Sequence, residues 1–181
     1  MSNYDAGYVI GISAGVAIGV LLVIAILKFS KKDGSLKCKY DERQELVRGK
    51  GFKYGFFTIV LYDACNMFYG NFLERIVMRE VIMSFGIFLG VVVYAGYAIW
   101  NDGYFSLNEN PRRVMGSFVV LSVGNILLGL MHIPMGDFSV DGVIGYPAVN
   151  LMVGLMILCL FGILLVKRIC KKEPAEGQED E

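Results

Sequence analysis

The residue best suited to chemistry is Asp63, an acid in the middle of an otherwise apolar stretch. An acid near the centre of a bilayer costs about 2.5–3.5 kcal/mol on insertion scales. No Lys or Arg stands at the same depth, so we expect Asp63 to be protonated, bonded to neutral groups or in contact with water. Asn66 lies one helical turn away, and Asn125 lies at a similar depth in a later apolar stretch. The sequence predicts an intramembrane polar cluster of Asp63, Asn66 and Asn125.

Three roles of this cluster remain open at this point. It could be an interhelical hydrogen-bond clamp with a neutral Asp63, a pathway for protons or cations, or a contact with a second membrane protein. Interhelical hydrogen bonds contribute about 0.6–2 kcal/mol, less than the insertion cost of the acid. This comparison mildly favours a functional role over a purely structural one.

Other reactive side chains give little support for catalysis or metal binding. His132 is the single histidine, and we expect it to form hydrogen bonds at a membrane interface. Cys38 lies between Lys37 and Lys39 with no histidine on that side, so we do not expect a nucleophile. The sequence has no Gly-x-Ser-x-Gly, no His-Glu-x-x-His, no phosphate loop and no Cys-x-x-Cys. We predict no catalytic residue, no metal site and no cofactor.

The elements that position these residues are predicted to be membrane helices. Apolar residues make up 55% of the chain and charged residues 19%, below the roughly 25% charged residues of soluble proteins. Several apolar stretches reach the roughly 20 residues that cross a hydrocarbon core. The sequence predicts an all-α polytopic bundle, residues 1–172, followed by a disordered acidic tail, residues 173–181. The five predicted spans are residues 8–29, 52–72, 81–100, 114–133 and 148–166, the fourth ended by Pro134.

The distribution of basic residues predicts the orientation of this bundle. Lys28, Lys31 and Lys32 lie at and just after the end of the first span and resist translocation, so its N-terminus is predicted to be outside. Of the 17 Lys and Arg residues, only Arg75 and Arg79 fall in predicted outer connections. The C-terminus is therefore predicted to be cytoplasmic, and the location is the cell membrane. A net charge of zero gives no reason to expect a nucleic-acid partner.

Glycines in two of the predicted spans recur at every fourth position. Gly11, Gly15 and Gly19 share one face of the first helix, and Gly86 and Gly90 repeat the spacing in the third. Glycine faces let helix backbones approach closely in lipid. We expect the first face to pack on another helix of the same chain, with Gly86 and Gly90 as a candidate mate. The alternative is a seam between copies of the chain.

A charged segment precedes the second predicted span. Asp41 is a plausible helix N-cap, and Gln44 can reach back to it in a variant of the capping box. Glu42, Arg43 and Arg48 add charges of both signs. The segment is either a solvated helix end near anionic headgroups or a docking site for a cytoplasmic partner.

The Asp-Glu-Arg-Gln segment at residues 41–44, placed just before an apolar helix, resembles a family of uncharacterised small multi-pass membrane proteins of Gram-positive bacteria. The resemblance is confined to this short segment. It implies a bacterial inner-membrane protein without an assigned activity, and it implies no catalytic or binding residue.

Three classes of function follow from these features. The favoured one is a non-catalytic subunit, sensor or regulator that acts through helix–helix and juxtamembrane contacts. Its expected partners are the lipid bilayer and either another membrane protein or a second copy. One alternative is a small transporter or channel for protons, cations or solutes built on Asp63, although the chain has no internal repeat. The last alternative, a membrane enzyme, has the least support.

Overall fold

The computed structural model describes residues 3–33 and 36–170, and this part of the chain is mostly helical. The predicted all-α class is confirmed. The predicted acidic tail, residues 173–181, lies outside the described residues. The elements in chain order are α1 (Asn3–Ser30), α2 (Glu42–Leu73), α3 (Arg79–Trp100), α4 (Pro111–Met135), β1 (Ser139–Val140), β2 (Val143–Ile144) and α5 (Pro147–Cys170).

Four of these helices are long and apolar enough to cross a membrane. They are α1 over Val9–Ser30, and α3, α4 and α5 over their full lengths. The second predicted span lies in α2, which has the necessary length but does not belong to this apolar set. Asp63, Asn66 and Asn71 interrupt its apolar half.

The helices α2 and α3 form one closely packed antiparallel pair. A Cβ placed on Gly55 of α2 would lie 2.7 Å from the carbonyl oxygen of Gly90 on α3. Backbones approach this closely only where neither residue has a side chain. Edge-to-face ring contacts such as that between Phe52 and Tyr94, with centroids 5.2 Å apart, extend the same interface.

The helices α4 and α5 form a second pair, built in the same way. The hydroxyl of Ser122 on α4 donates a 2.8 Å hydrogen bond to the carbonyl oxygen of Gly154 on α5. The two pairs join through α3 and α5, where Ala95, Ile99 and Leu160 lie in the main buried apolar cluster. The remaining helix, α1, contacts chiefly α4.

The connections of the bundle gather at its two ends. At one end the turn between α2 and α3 binds the short hairpin of β1 and β2. There the Met78 amide donates to the carbonyl of Ile144 at 2.9 Å, and the Ile144 amide donates to that of Ile76 at 2.9 Å. At the other end the connection between α1 and α2 packs against the connection between α3 and α4. Both helix pairs are therefore tied together at both ends.

The helix α4 continues past Pro134, the residue predicted to end the fourth span. Pro134 lies inside the last turn of α4, which continues to Met135. Gly136 follows with φ 79° in the left-handed conformation that glycine adopts readily, and this residue caps the helix.

Candidate functional site

Asp63 and Asn66 line one crevice between α2 and α3, here called the α2–α3 crevice. Its volume is about 600 Å³, and its lining residues come only from α2, α3 and the turn that joins them. The α3 side contributes Arg79 and the apolar residues Ile82, Met83 and Ile87. The helical spacing of Asp63 and Asn66 places both on the face that the crevice exposes.

An ion pair lies at the mouth of the α2–α3 crevice. Arg79 binds Glu74 through two hydrogen bonds, Nε to Oε1 at 2.8 Å and Nη2 to Oε2 at 3.1 Å. Deeper in the crevice, the Nδ2 atom of Asn66 is buried and has no hydrogen-bond partner among the described residues. The crevice thus offers an acid and an unpaired amide donor, groups that can bind a small polar molecule or a polar side chain.

Asn125 does not belong to this crevice. It lies on α4, and its Nδ2 atom donates a 2.8 Å hydrogen bond to the carbonyl oxygen of Leu121 on the same helix. Since α2 packs on α3 while α4 packs on α5, the predicted three-residue cluster is reduced to Asp63 and Asn66. Hydropathy predicts how deep in the membrane a residue lies, but it does not predict which helices are neighbours.

The glycines of α1 and α3 have different surroundings. Gly90 packs against the α2 backbone, and a Cβ on it would lie 3.0 Å from the carbonyl oxygen of Gly55. By contrast, apart from the adjacent residues and the nearby backbone of α1 itself, no atom of the described residues lies within 4 Å of a Cβ placed on Gly11, Gly15 or Gly19. Among the described residues, the α1 glycine face therefore has no packing partner, and its expected contact with another helix of the chain stays a prediction. The intrachain mate of Gly86 and Gly90 is α2, which supplies Tyr62 and Ile59 as well as Gly55.

The predicted capping box at the start of α2 is confirmed. The Oδ1 atom of Asp41 accepts a 2.7 Å hydrogen bond from the Gln44 amide, and Gln44 Oε1 accepts a 3.3 Å bond from the Asp41 amide. Gln44 has a further role, because its Nε2 atom donates to the carbonyl oxygens of Asp102 at 3.3 Å and Phe105 at 3.0 Å. The side chain that caps α2 also binds the connection between α3 and α4.

Neighbouring residues of this segment also make contacts within the chain. Arg43 donates a 3.0 Å hydrogen bond to the carbonyl oxygen of Asn101. The Arg48 guanidinium lies 4.0 Å from the centre of the Tyr40 ring, within cation–π distance. Burial raises the pKa of Tyr40 above its ordinary value, and the charge of Arg48 opposes this effect. Glu42 remains exposed, so the segment binds mainly to its own chain.

Residues 31–33, 36–41 and 101–110 together form a compact polar structure, here called the polar cap. Asn108 lies at its centre and is buried. Its Nδ2 atom donates to the carbonyl oxygen of Lys37 at 3.0 Å, and its Oδ1 atom accepts from the Lys39 amide at 3.3 Å. Its own carbonyl accepts a 2.9 Å bond from the Lys32 amide. One asparagine thus satisfies backbone groups of Lys32, Lys37 and Lys39 in the connection between α1 and α2.

The polar cap is also joined to α5 and to the apolar core. Lys167 near the end of α5 donates a 2.7 Å bond to Asp102 Oδ1 and a further bond to the carbonyl oxygen of Ile99. Tyr104 packs against the apolar cluster. Burial, with a smaller effect of Glu109, raises the pKa of Tyr104 to about 12. The sequence predicted turns in this region, but no spacing pattern indicated that residues about 70 positions apart would pack together.

Comparison with known proteins finds no relative of this chain. No protein-family model, curated protein or solved structure matches the chain. The class of the chain follows from its own features. Four helices are long and apolar enough to span a bilayer, and the charged connections lie at the helix ends. The chain is a multi-helix membrane protein of all-α architecture.

Proposed function

We propose that this protein is a non-catalytic membrane subunit that associates with a second copy of itself through the glycine face of α1. The observation that carries the proposal is the state of that face. Gly11, Gly15 and Gly19 form a smooth surface with no neighbour among the described residues. The apolar window of the α1 span is also unburied within the described chain, so α1 is available to pack on another helix.

The chemistry of the face favours an identical partner. Association of helices in lipid depends on van der Waals packing, and close approach is greatest when both partners present small residues. A second α1 supplies the same three glycines, and a two-fold axis brings the two faces together in a self-complementary contact.

We further propose that α2 crosses the cell membrane with the other helices, giving five antiparallel spans with the N-terminus outside. Two observations support this. The apolar side chains of Met67 and Phe68 on α2 are 85% and 83% exposed, as expected for residues that face lipid. The basic residues after α1 lie in the polar cap, on the side that the positive-inside rule assigns to the cytoplasm.

Substitution of the glycine face tests the self-association. Gly15→Leu puts a large side chain where the two backbones would meet, and overpacking of this kind costs about 1–3 kcal/mol. We expect the association constant to fall about ten- to a hundredfold. The measurement is energy transfer between differently labelled copies in liposomes, as a function of the protein-to-lipid ratio. Ala17→Leu lies on the opposite face of α1 and should leave the transfer unchanged.

Two results would contradict this proposal. One is a wild-type protein that shows no concentration-dependent energy transfer. The other is a Gly15→Leu variant that associates as strongly as Ala17→Leu. Crosslinking from α1 in native membranes to a different membrane protein, without any product of two copies, would assign the face to that protein instead.

A second candidate function is the movement of a proton, cation or small polar solute through the α2–α3 crevice. The unpaired, buried Nδ2 atom of Asn66 beside Asp63 favours it. The crevice resembles a half-channel, because α2 and α3 close on each other at Gly55 and Gly90, beyond Asp63. Polar lining therefore reaches only part of the way across the proposed membrane domain, and for this reason we prefer the assembly function.

Flux measurements distinguish the two functions. If the crevice is a pathway, Asp63→Asn should lower proton or cation flux into proteoliposomes by about tenfold or more, because it removes the titratable group at the end of the polar lining. Asp137→Asn, at a surface position paired with His132, should leave flux intact. The assembly function predicts no flux above that of empty liposomes for the wild type and for both variants.

A further inference from the structure

The side chain of Lys31, the first residue after α1, is completely buried in the polar cap. A buried ammonium group is rare and requires close partners. Among the described residues, two groups lie close to the Lys31 ammonium group. Its Nζ atom lies 3.7 Å from Glu109 Oε1 and only 2.7 Å from the Sγ atom of Cys38. Cys38 carries a free thiol and is only partly buried.

The separation of 2.7 Å between Nζ and Sγ is unusually short for a hydrogen bond to sulfur. Most N–H···O bonds measure about 2.9–3.0 Å, and sulfur, being larger than oxygen, holds a donor farther away. The separation is also well beyond that of a direct bond between nitrogen and sulfur. It matches the distance that a single oxygen atom spans when it is bonded to both.

We propose that Lys31 and Cys38 form a covalent Nζ–O–Sγ crosslink when the protein meets dioxygen. The starting pair is the lysine ammonium and the cysteine thiolate, or equally the neutral amine and thiol. One dioxygen molecule is consumed and its O–O bond breaks. One oxygen atom forms bonds to Nζ and Sγ, while the other leaves as water with the two hydrogens displaced from the pair. Nitrogen and sulfur each lose two electrons, and the two oxygen atoms gain the four.

The surroundings of the pair suit this reaction. The partial exposure of Cys38 gives dioxygen access to the sulfur atom, which the complete burial of Lys31 alone would not. Glu109 is the carboxylate closest to Lys31 and can accept an ammonium proton, leaving the nitrogen lone pair free to react. Two equivalents of a dithiol supply four electrons and four hydrogens, restoring the amine and the thiol and releasing the oxygen as water.

The crosslink would join the end of α1 covalently to the residues that lead into α2. This would make the polar cap a redox-responsive site, independent of the proposed self-association. On the proposed orientation, which places the polar cap in the cytoplasm, reducing conditions would keep the pair open, and oxidative conditions would close it.

Mass spectrometry of the full-length protein in detergent tests the proposal. After equilibration in air, we expect a peptide in which residues 31 and 38 are linked, heavier than the free pair by one oxygen and lighter by two hydrogens. Excess dithiol under argon should remove the link and restore alkylation of Cys38 by iodoacetamide. Cys170, which lies outside the cap, reports on general oxidation.

Variants identify the two linked atoms. Cys38→Ser and Lys31→Arg should both lack the linked peptide, whereas Lys37→Arg and Lys39→Arg, which change the lysines next to Cys38, should retain it. The wild type alone can overturn the proposal. If Cys38 remains fully open to alkylation after prolonged exposure to air, or is oxidised to sulfinic acid with Lys31 unchanged, no such crosslink forms.

Discussion

Gly55→Ala is expected to destabilise the protein by about 1–3 kcal/mol, the usual cost of overpacking a close interface. The new Cβ would lie 2.7 Å from the carbonyl oxygen of Gly90 and 3.1 Å from the Cβ of Tyr94. Neither atom can rotate away, because one belongs to the backbone and the other is fixed to it. The helices α2 and α3 must therefore move apart. Denaturant-induced loss of helicity in mixed micelles measures the change.

Gly49→Ala provides the matched control for this experiment. Gly49 lies on the same helix, and apart from its adjacent residues and the nearby α2 backbone no atom of the described residues comes within 4 Å of a Cβ placed there. Alanine has a higher helix propensity than glycine by about 1 kcal/mol, so Gly49→Ala should be neutral or stabilising. Equal stability of the two variants would show that α2 and α3 do not approach each other at Gly55 as described.

Gln44→Glu should release the connection between α3 and α4 from the start of α2. The change keeps the Oε1 atom that caps α2, but it replaces the amide that donates to the carbonyl oxygens of Asp102 and Phe105. A carboxylate then faces two carbonyl oxygens in a buried position, and unsatisfied buried groups cost about 1–3 kcal/mol, more when charged. We expect faster hydrogen exchange at residues 101–106 and lower overall stability.

The neighbouring variant Glu45→Gln separates this effect from a general change in charge. Glu45 is exposed and lies beside Gln44 on the same turn, so its substitution should leave exchange at residues 101–106 unchanged. If Gln44→Glu also leaves exchange unchanged, the two carbonyl contacts do not hold the polar cap in place.

The positions of the helices could be largely predicted from the sequence, because a bilayer imposes a minimum apolar length and backbone hydrogen bonding inside it favours helices. The capping box at Asp41 and Gln44 was predictable for a similar reason, since its partners lie three residues apart. Four of the predicted spans correspond to helices of sufficient length and apolarity. The second predicted span lies in α2, where Asp63 and Asn66 make the apolar stretch less apolar than the other four spans.

Contacts between distant segments could not be predicted in the same way. Asp63 and Asn66 share a crevice because one helix carries both. Asn125 lies away from this crevice because α4 packs on α5, whereas α2 packs on α3. The second pair of hydrogen bonds made by Gln44 includes a carbonyl 58 positions away, a separation that leaves no pattern in one sequence. The same holds for Lys31 and Glu109, whose pairing depends on how two connections fold over each other.

The junction between the β1–β2 hairpin and the turn at Met78 restricts how the bundle can move. Each helix pair is fastened to the other there through Ile144, and again through the polar cap at the opposite end. Two helix pairs that are connected at both ends cannot separate at one end by rotating about the other. Relative motion of the two pairs must instead be a twist about the long axis of the bundle, with the α3–α5 interface as its pivot.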